Sequence, residues 1–240
     1  PSLIKIQKKN LSNKKITWVS EINRIKKIPS IFVANEFFDA LAIKQFRKNK
    51  DLWLERFVNL NNSNKPFFFE KKIDIKKFEK KISFKISQNQ DFIEYSSLGV
   101  KYLKYISQFI KKRKGGLLLI DYGYTEKKMK DTLKAFSNHK FANILENIGN
   151  VDITHDINFL FYKKLTESIG GLESNFTTQK NFLINMGIKK RAEIISQNLH
   201  FSKKVDIYYR LRKLIDDKQM GSLFKVMLVK NKKNKFKLGF

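Results

Sequence analysis

The chain contains no cysteine. That excludes disulfides and thiolate metal sites, and it suits a reducing compartment. Nor is there an apolar run near the roughly 20 residues needed to cross a bilayer. The run Leu117 to Ile120 is only long enough for a buried strand. The opening residues, PSLIKIQKKN, lack the apolar core of a secretory signal. Histidine is scarce: His139, His155 and His200 show no metal-ligand spacing, so no metal is expected. No Gly-x-x-x-x-Gly-Lys phosphate loop, His-Glu-x-x-His zinc helix or Gly-x-Ser-x-Gly elbow occurs. Acidic residues are few, 22 against 50 Lys and Arg, for a formal charge of +28. Lys far outnumbers Arg, Asn, Ile and Phe abound, and Lys is spread along the chain rather than gathered in a block. AT-rich coding produces that mixture. Basic charge alone gives sequence-blind affinity, so no specific nucleic-acid partner is expected.

What is present suffices for a sizeable core: 240 residues, 42% hydrophobic and 13% aromatic. This is one large domain, or a domain with a subdomain. The most informative segment is IFVANEFFDALAIKQF, residues 31–46. An apolar run (Ile31, Phe32, Val33, Ala34) reads as a buried strand and stops at Asn35. Glu36 and Asp39 follow at i, i+3 spacing, which predicts a helix from Glu36 to about Ile43. A strand that delivers an amide and two carboxylates at its C-terminal end has the layout of an α/β active site, because ligands sit outside the carboxyl ends of such strands.

Along the rest of the chain, residues 1–12 read as helical, and Ile16 to Val19 as a short strand. Residues 47–95 read as an inserted hairpin-like subdomain: two β-rich runs flank Asn61-Asn62-Ser63-Asn64-Lys65-Pro66, and Ile82, Phe84 and Ile86 alternate like a strand. A helix capped by Ser96 or Ser97 carries Leu98, Tyr102, Ile106 and Phe109, and Gly115-Gly116 stops it. Leu117 to Ile120 reads as a buried parallel strand ending in Asp121-Tyr122-Gly123. Residues 124–150 mix helix and loop. Helices are expected near 155–169, 178–186, 189–199 and 203–215. Leu223 to Val229 and the alternating Phe236, Leu238 and Phe240 predict a C-terminal antiparallel hairpin. The expected parallel strands are near 16–19, 31–35 and 117–121.

Six ordered blocks carry a family resemblance over nearly the whole chain: NEFFDAL (35–41), LLLIDYG (117–123), DTLKAFSNHK (131–140), NIGNVDITHDINF (147–159), TQKNFLINMGIKKR (178–191) and MGSLFKV (220–226). The chain resembles the MidA-type proteins, which are similar to the mitochondrial complex I assembly-factor arginine methyltransferases. The resemblance implies a Rossmann-like α/β sheet of the class I methyltransferases, with S-adenosyl-L-methionine as cofactor and a protein substrate, a subunit of respiratory complex I (NADH dehydrogenase), methylated on arginine. It implies a location in the bacterial cytoplasm, or in the mitochondrial matrix of a eukaryote. The family usually has Pro after Asp-Ala-Leu, where this chain has Ala42. The resemblance also implies that the Gly-rich cofactor loop and the acid ending the second strand lie upstream of Pro1. The 240 residues then match the C-terminal two-thirds of such an enzyme, a sheet incomplete at its N-terminus and weakly active or inactive alone.

Within that frame Asn35 is expected to touch the cofactor or the target nitrogen, or to cap the next helix. Glu36 and Asp39 are expected to hold a guanidinium, whose forked donors match carboxylates, or to favour a helix N-terminus. Asp121, Tyr122 and Gly123 are cofactor-side candidates, beside Asn35 across the sheet. His139, Asp152, Thr154, His155 and Gln179 are candidates for a substrate groove. Two other functions compete: a non-catalytic homologue that binds its partner during assembly, and a nucleic-acid methyltransferase in which Phe37 or Phe38 stacks on a base. Oligomeric state is not legible.

Overall fold

In the computed structural model, residues 2–138 and 140–240 are described. The fold is built on one mixed sheet. Strand β1 (Ser30–Asn35) runs parallel to a later strand, with Ser30 beside Gly115 and Asn35 beside Ile120. Between them lies a second, antiparallel sheet. It contains β2 (Lys44–Asn49), β3 (Leu52–Leu60), β4 (Pro66–Ile73) and β5 (Phe92–Tyr95) in the order β4-β3-β2-β5, with helix α2 (Ile75–Ile82) after β4. Helix α1 (Ser2–Asn10) precedes all of these. Asn61 shapes the β3–β4 turn, its Oδ1 accepting from the Ser63 and Lys65 amides at 3.0 and 2.9 Å.

Helix α3 (Ser97–Arg113) starts where Ser96 accepts from the Gly99 amide at 3.0 Å. It ends with Lys111, Lys112 and Arg113 at its negative pole. Strand β6 (Gly115–Tyr124) follows at once. Gly115 has φ +103°, and a Cβ there would lie 1.9 Å from the Ser30 carbonyl oxygen, so only glycine lets β1 and β6 start side by side. A small three-stranded sheet comes next: β7 (Lys134–Ser137), β8 (Lys140–Ala142) and β9 (Asp152–Thr154), in the order β8-β7-β9. Strand β10 (Ile157–Asn158) returns to β6, parallel, beside Gly123 and Tyr124.

Helix α4 (Phe159–Glu167) is capped by Asn158, whose side chain accepts from the Phe161 amide at 2.8 Å. Strand β11 (Leu172–Thr178) leads to α5 (Gln179–Asn185), α6 (Ile188–Ser196), α7 (Phe201–Ile215) and the short α8 (Met220–Leu223). Strand β12 (Phe224–Asn231) ends the sheet, antiparallel to both β6 and β11, for an order of β1-β6-β12-β11. The core lies where α3 and α4 cover one face: Leu103, Ile106, Ile110 and Leu165 meet Leu117, Leu119, Met227 and Val229. On the other face Ile31 and Val33 are exposed, and among the described residues nothing pairs with the outer side of β1.

The α/β class, the β1–α3–β6 unit and the antiparallel β12 follow the expectation. Several local expectations do not hold. Residues 16–19 form no strand. Trp18 instead donates to Gln7 Oε1 at 3.0 Å and so leans on α1. Residues 36–43 form no helix, for a reason given below. Residues 75–82 are helical and 83–91 irregular, so Phe84 and Ile86 are core contacts of a loop and not of a strand. Residues 124–150 hold β7 and β8 and no helix. Residues 236–240 form no strand, so there is no terminal hairpin; Phe240 packs on Phe182 at 5.4 Å, and β12 pairs with the unforeseen β11.

Candidate functional site

The site is built on the loop that leaves β1. The Glu36 amide still donates to Ile120 O at 3.0 Å, which extends the parallel ladder by one bond. Glu36 then takes a left-handed φ of +45° and turns the chain. The next three amides are captured from outside. One oxygen of Asp121, Oδ2, accepts from Phe37, Phe38 and Asp39 at 3.3, 3.0 and 3.4 Å, while Oδ1 accepts from Tyr122 at 3.0 Å. Donors that a helix would leave free at its first turn are thus held by a carboxylate on the neighbouring strand. The expected helix fails further on: Glu36 is left-handed, and the Asp39 carbonyl, which a helix would pair with the amide of residue 43, accepts from the His155 amide instead. Phe38 is fully buried against Tyr162, so it is closed to any stacking role, and Phe37 packs edge-on against Tyr102.

Asp121 is fully buried and lies within reach of a second carboxylate, Asp39. Burial first, and then the Asp39 charge, push its carboxyl up to about 7. Asp39 is itself only 6% exposed. Its backbone oxygen accepts from the His155 amide at 3.1 Å, and its Oδ2 accepts from Thr154 Oγ1 at 2.9 Å. Its Oδ1 has no hydrogen-bond partner.

Glu36 and Asp39 open onto a cleft of about 1040 Å³ at the carboxyl end of the sheet. Tyr122 and Gly123 of β6, Ser222 and Leu223 of α8 and Lys225 of β12 line it on one side; Lys134, Phe136, Phe141, Asp152, Ile153 and Thr154 of the small sheet line it on the other. Tyr122 packs on Phe224, with ring centroids 4.0 Å apart and the rings tilted by 41°. Burial, and then Glu36, Asp39, Asp121 and Asp156, raise its hydroxyl pKa, so it stays protonated. Lys134 pairs with Asp156 at 2.6 Å. Asp156 is held from behind: its amide donates to Thr132 Oγ1 at 2.9 Å, and that hydroxyl donates to the buried Glu94 at 2.5 Å. Burial raises Glu94 and lowers Lys225, whose ammonium donates to the Ser222 carbonyl.

A second hollow, about 440 Å³, lies at the other side of the β1 end and is lined by Ser20, Glu21, Asn35, Phe37 and Tyr102, among others. Consecutive residues at one strand end, Asn35 and Glu36, therefore border two different hollows.

The structure brings Glu36, Asp39, Tyr122, Gly123, Asp152 and Thr154 to one cleft. It separates the rest. Asp121 lines neither hollow: its side chain holds the loop and has no free face for a cofactor. Tyr122 and Gly123 border the larger cleft, not the hollow at Asn35. His155 is buried beneath the cleft with both ring nitrogens unpartnered. Gln179 is buried and donates to Leu214 O at 3.0 Å, so it ties α5 to α7 and lies away from any groove. His139 lies outside the described residues. Sequence reasoning missed Lys134, Phe141, Asp156, Leu223 and Lys225. Four of them stand inside the motif blocks, which were signal enough to single them out; Phe141 lies one residue past the block at 131–140. Among the described residues no group of three His, Cys, Asp or Glu could hold a metal ion, and no helix is long and apolar enough to cross a membrane.

A crevice at the carboxyl ends of parallel strands, at the edge where a mixed sheet changes direction, is the place where α/β enzymes bind nucleotide-like cofactors. Residues 1–177 match the model of a family described as "Putative S-adenosyl-L-methionine-dependent methyltransferase", and the chain belongs to that family. Among curated proteins it is similar to the mitochondrial protein arginine methyltransferase NDUFAF7 of Danio rerio, at 26% identity over 220 residues, 90% of this chain and 51% of that one. The Homo sapiens counterpart is 26% identical over 216 residues, 87% of this chain and 47% of that one. The Caenorhabditis elegans homolog is 30% identical over 184 residues, 76% of this chain and 43% of that one. The chain thus spans about half the length of these relatives. Two solved structures from Burkholderia thailandensis share the fold, each at 19% identity. One has a TM-score of 0.81 over 99% of this chain and 65% of that one. The other, bound to S-adenosyl-homocysteine, has a TM-score of 0.77 over 100% of this chain and 62% of that one.

Proposed function

We propose that the protein takes part in S-adenosyl-L-methionine-dependent methylation of an arginine side chain in a protein, and that the substrate is a subunit of respiratory complex I. The observation that carries this reading is that two carboxyl side chains, Glu36 and Asp39, converge on the wall of one cleft. Paired acidic groups in a partly enclosed cleft suit a cationic hydrogen-bond donor. A guanidinium supplies several such donors in a fixed fork.

The residues at the β1 end fit one side of the cofactor. Asn35 and Glu21 offer acceptors for its ammonium group, and the rings of Phe37 and Tyr102 offer faces to a sulfonium. When bound, S-adenosyl-L-methionine supplies an electrophilic methyl group. The work of this chain is placement. Thr154 fixes the Asp39 side chain at the cleft wall through Oδ2. Glu36 faces the same space and adds negative charge. A guanidinium drawn to both carboxylates is held with its attacking nitrogen fixed for in-line displacement, where positioning is most of catalysis. Support for protein arginine as the acceptor also comes from the names of the relatives.

The test is transfer of labelled methyl groups by the full-length gene product, with mass spectrometry to locate the mark. Glu36→Gln and Asp39→Asn keep shape and remove charge. Each lowers transfer by roughly tenfold to a thousandfold, the size expected when one positioned electrostatic contact is lost. Label on lysine or on RNA would refute the substrate class; full activity in both variants would refute the carboxylate roles.

A further inference from the structure

The mouth of the larger cleft carries a feature that guanidinium binding does not use. Phe141 on β8 is 79% exposed, Leu223 on α8 55% and Ile153 on β9 44%, and all three line the cleft that holds the carboxylates. Phe141 is propped from behind by Phe136, with ring centroids 4.8 Å apart and the rings tilted by 34°, so its exposed face is presented by a packed pair on a short sheet. Adjacent to this apolar rim the lining is acidic, although the chain as a whole carries +28. Glu36, Asp39, Asp152 and Asp156 face two ammoniums, and Lys134 is already paired with Asp156. The acidic part is built in: Thr154 on β9 holds the Asp39 side chain through Oδ2 at 2.9 Å, and both residues line the cleft.

We infer that the cleft reads two neighbouring side chains of one extended polypeptide: the carboxylates take an arginine, and the Phe141–Ile153–Leu223 rim takes an aromatic or branched aliphatic residue within two positions of it. The inference rests on the methyl-transfer reading of the same cleft and adds the sequence context of the substrate. Charge complementarity selects the occupant. A cation is needed at the floor, and only a chain that carries both a cation and an apolar group covers floor and rim together. Apolar residues scattered singly on a surface need no explanation, but three that converge on the rim of one acidic cleft do. Small sites of this kind pair apolar walls with a few placed polar groups. An extended segment also suits the geometry: adjacent side chains on a strand point to opposite sides, and those two positions apart share a side, so an arginine and a residue within two positions of it can reach floor and rim.

Fluorescence polarisation on the 240-residue chain tests this without turnover. The probes are labelled nine-residue peptides, either arginine- or alanine-centred, in an all-glycine background or with one phenylalanine at one of the four flanking positions. The arginine peptide with a favourable phenylalanine should bind roughly five- to thirtyfold tighter than its all-glycine counterpart, as expected for partial burial of one ring. Phe141→Ser should abolish that gain and leave the all-glycine arginine peptide unchanged, with circular dichroism to show that the fold persists. Leu223→Ser, at an exposed site on a different element, should reduce the gain independently.

If arginine peptides bind better than alanine ones and phenylalanine adds nothing at any position, the rim inference is overturned and the arginine reading stands. If arginine and alanine peptides bind alike, the arginine reading itself fails. A gain from phenylalanine that survives both rim substitutions would place the apolar contact elsewhere and overturn the inference. So would displacement of the peptide at physiological salt by a single-stranded oligonucleotide, the other ligand that stacks on exposed rings.

Discussion

Asp121→Asn should change how stability depends on pH more than it changes stability at any one pH. Asp121 is fully buried, its two oxygens accept four backbone amides, and burial together with Asp39 pushes its carboxyl up to about 7. An unfolded Asp titrates near 4. Between about pH 4 and pH 7 the folded protein therefore holds a proton that the unfolded chain has released. The folded state binds more protons, so this group's contribution to stability falls as pH rises through that window and levels off above about 7. The full drop is on the order of 4 kcal/mol. Asn can offer one oxygen to the amides of residues 37–39, but its NH2 then faces the Tyr122 N–H, a mismatch that costs about 1–3 kcal/mol at every pH. The variant has no titration, so its deficit should be largest near pH 4.5 and shrink, or reverse, by pH 7.5. Urea unfolding followed by tryptophan fluorescence at four pH values measures it, and groups common to both proteins cancel in the difference. Asp39→Asn is the control: it removes the neighbouring charge and should move the midpoint of wild-type pH dependence downward. A deficit constant to within about 0.5 kcal/mol from pH 4.5 to 7.5 would refute the reasoning, since such a result means no proton moves at Asp121.

Other substitutions test the frame around the site. In Gly123→Ala the new methyl would meet the Ile157 carbonyl oxygen at 2.3 Å and the Phe159 ring at 2.6 Å, so it should cost about 1–3 kcal/mol and lower Tm by several degrees in a thermal scan. Thr154→Val removes the hydroxyl that donates to Asp39 Oδ2 at nearly constant volume; methyl transfer should fall about tenfold while the fold persists by circular dichroism. Lys230 is fully buried, 2.9 Å from Glu173 and 2.6 Å from the Asn234 carbonyl. Lys230→Met should stay within about 1 kcal/mol of wild type in urea unfolding, whereas Glu173→Gln, which strands the ammonium, should cost about 1–3 kcal/mol.

The legible parts of this fold are those whose causes are local. Ser96 caps a helix whose apolar residues return every three or four positions, and a continuous apolar run at 117–120 needs cover on both faces, so α3 and β6 could be read directly. The failures share a distant cause. The pattern at 36–43, two acids at i, i+3 before apolar residues, is a helix pattern. It loses because the Asp39 carbonyl, which a helix would pair with the amide of residue 43, is given instead to the amide of His155, far along the chain. Strand β11 escapes notice because its buried inward residue Ser174 is polar, satisfied by Thr166 at 2.6 Å. The tail at 236–240 alternates like a strand, yet it lies against α5 instead, because β12 already pairs on both sides.

The candidate site obeys the same rule. Residue types at a strand end can be read from the chain, so Asn35, Glu36 and Asp39 could be named. Which oxygen of Asp39 is occupied depends on Thr154, 115 residues later, and on the small sheet that brings it there. Motif blocks say that 147–159 belongs near 35–41. They do not say that Thr154 points to the carboxylate while its neighbour His155 is buried beneath it. Strict strand alternation would put Asp152 and Thr154 on one side and Ile153 on the other, but β9 is a three-residue edge strand and all three line the cleft. In the proposed reading Asp152 and Thr154 serve the acidic floor and Ile153 the apolar rim, a division that depends on how β9 is tilted against the cleft and not on the residue pattern.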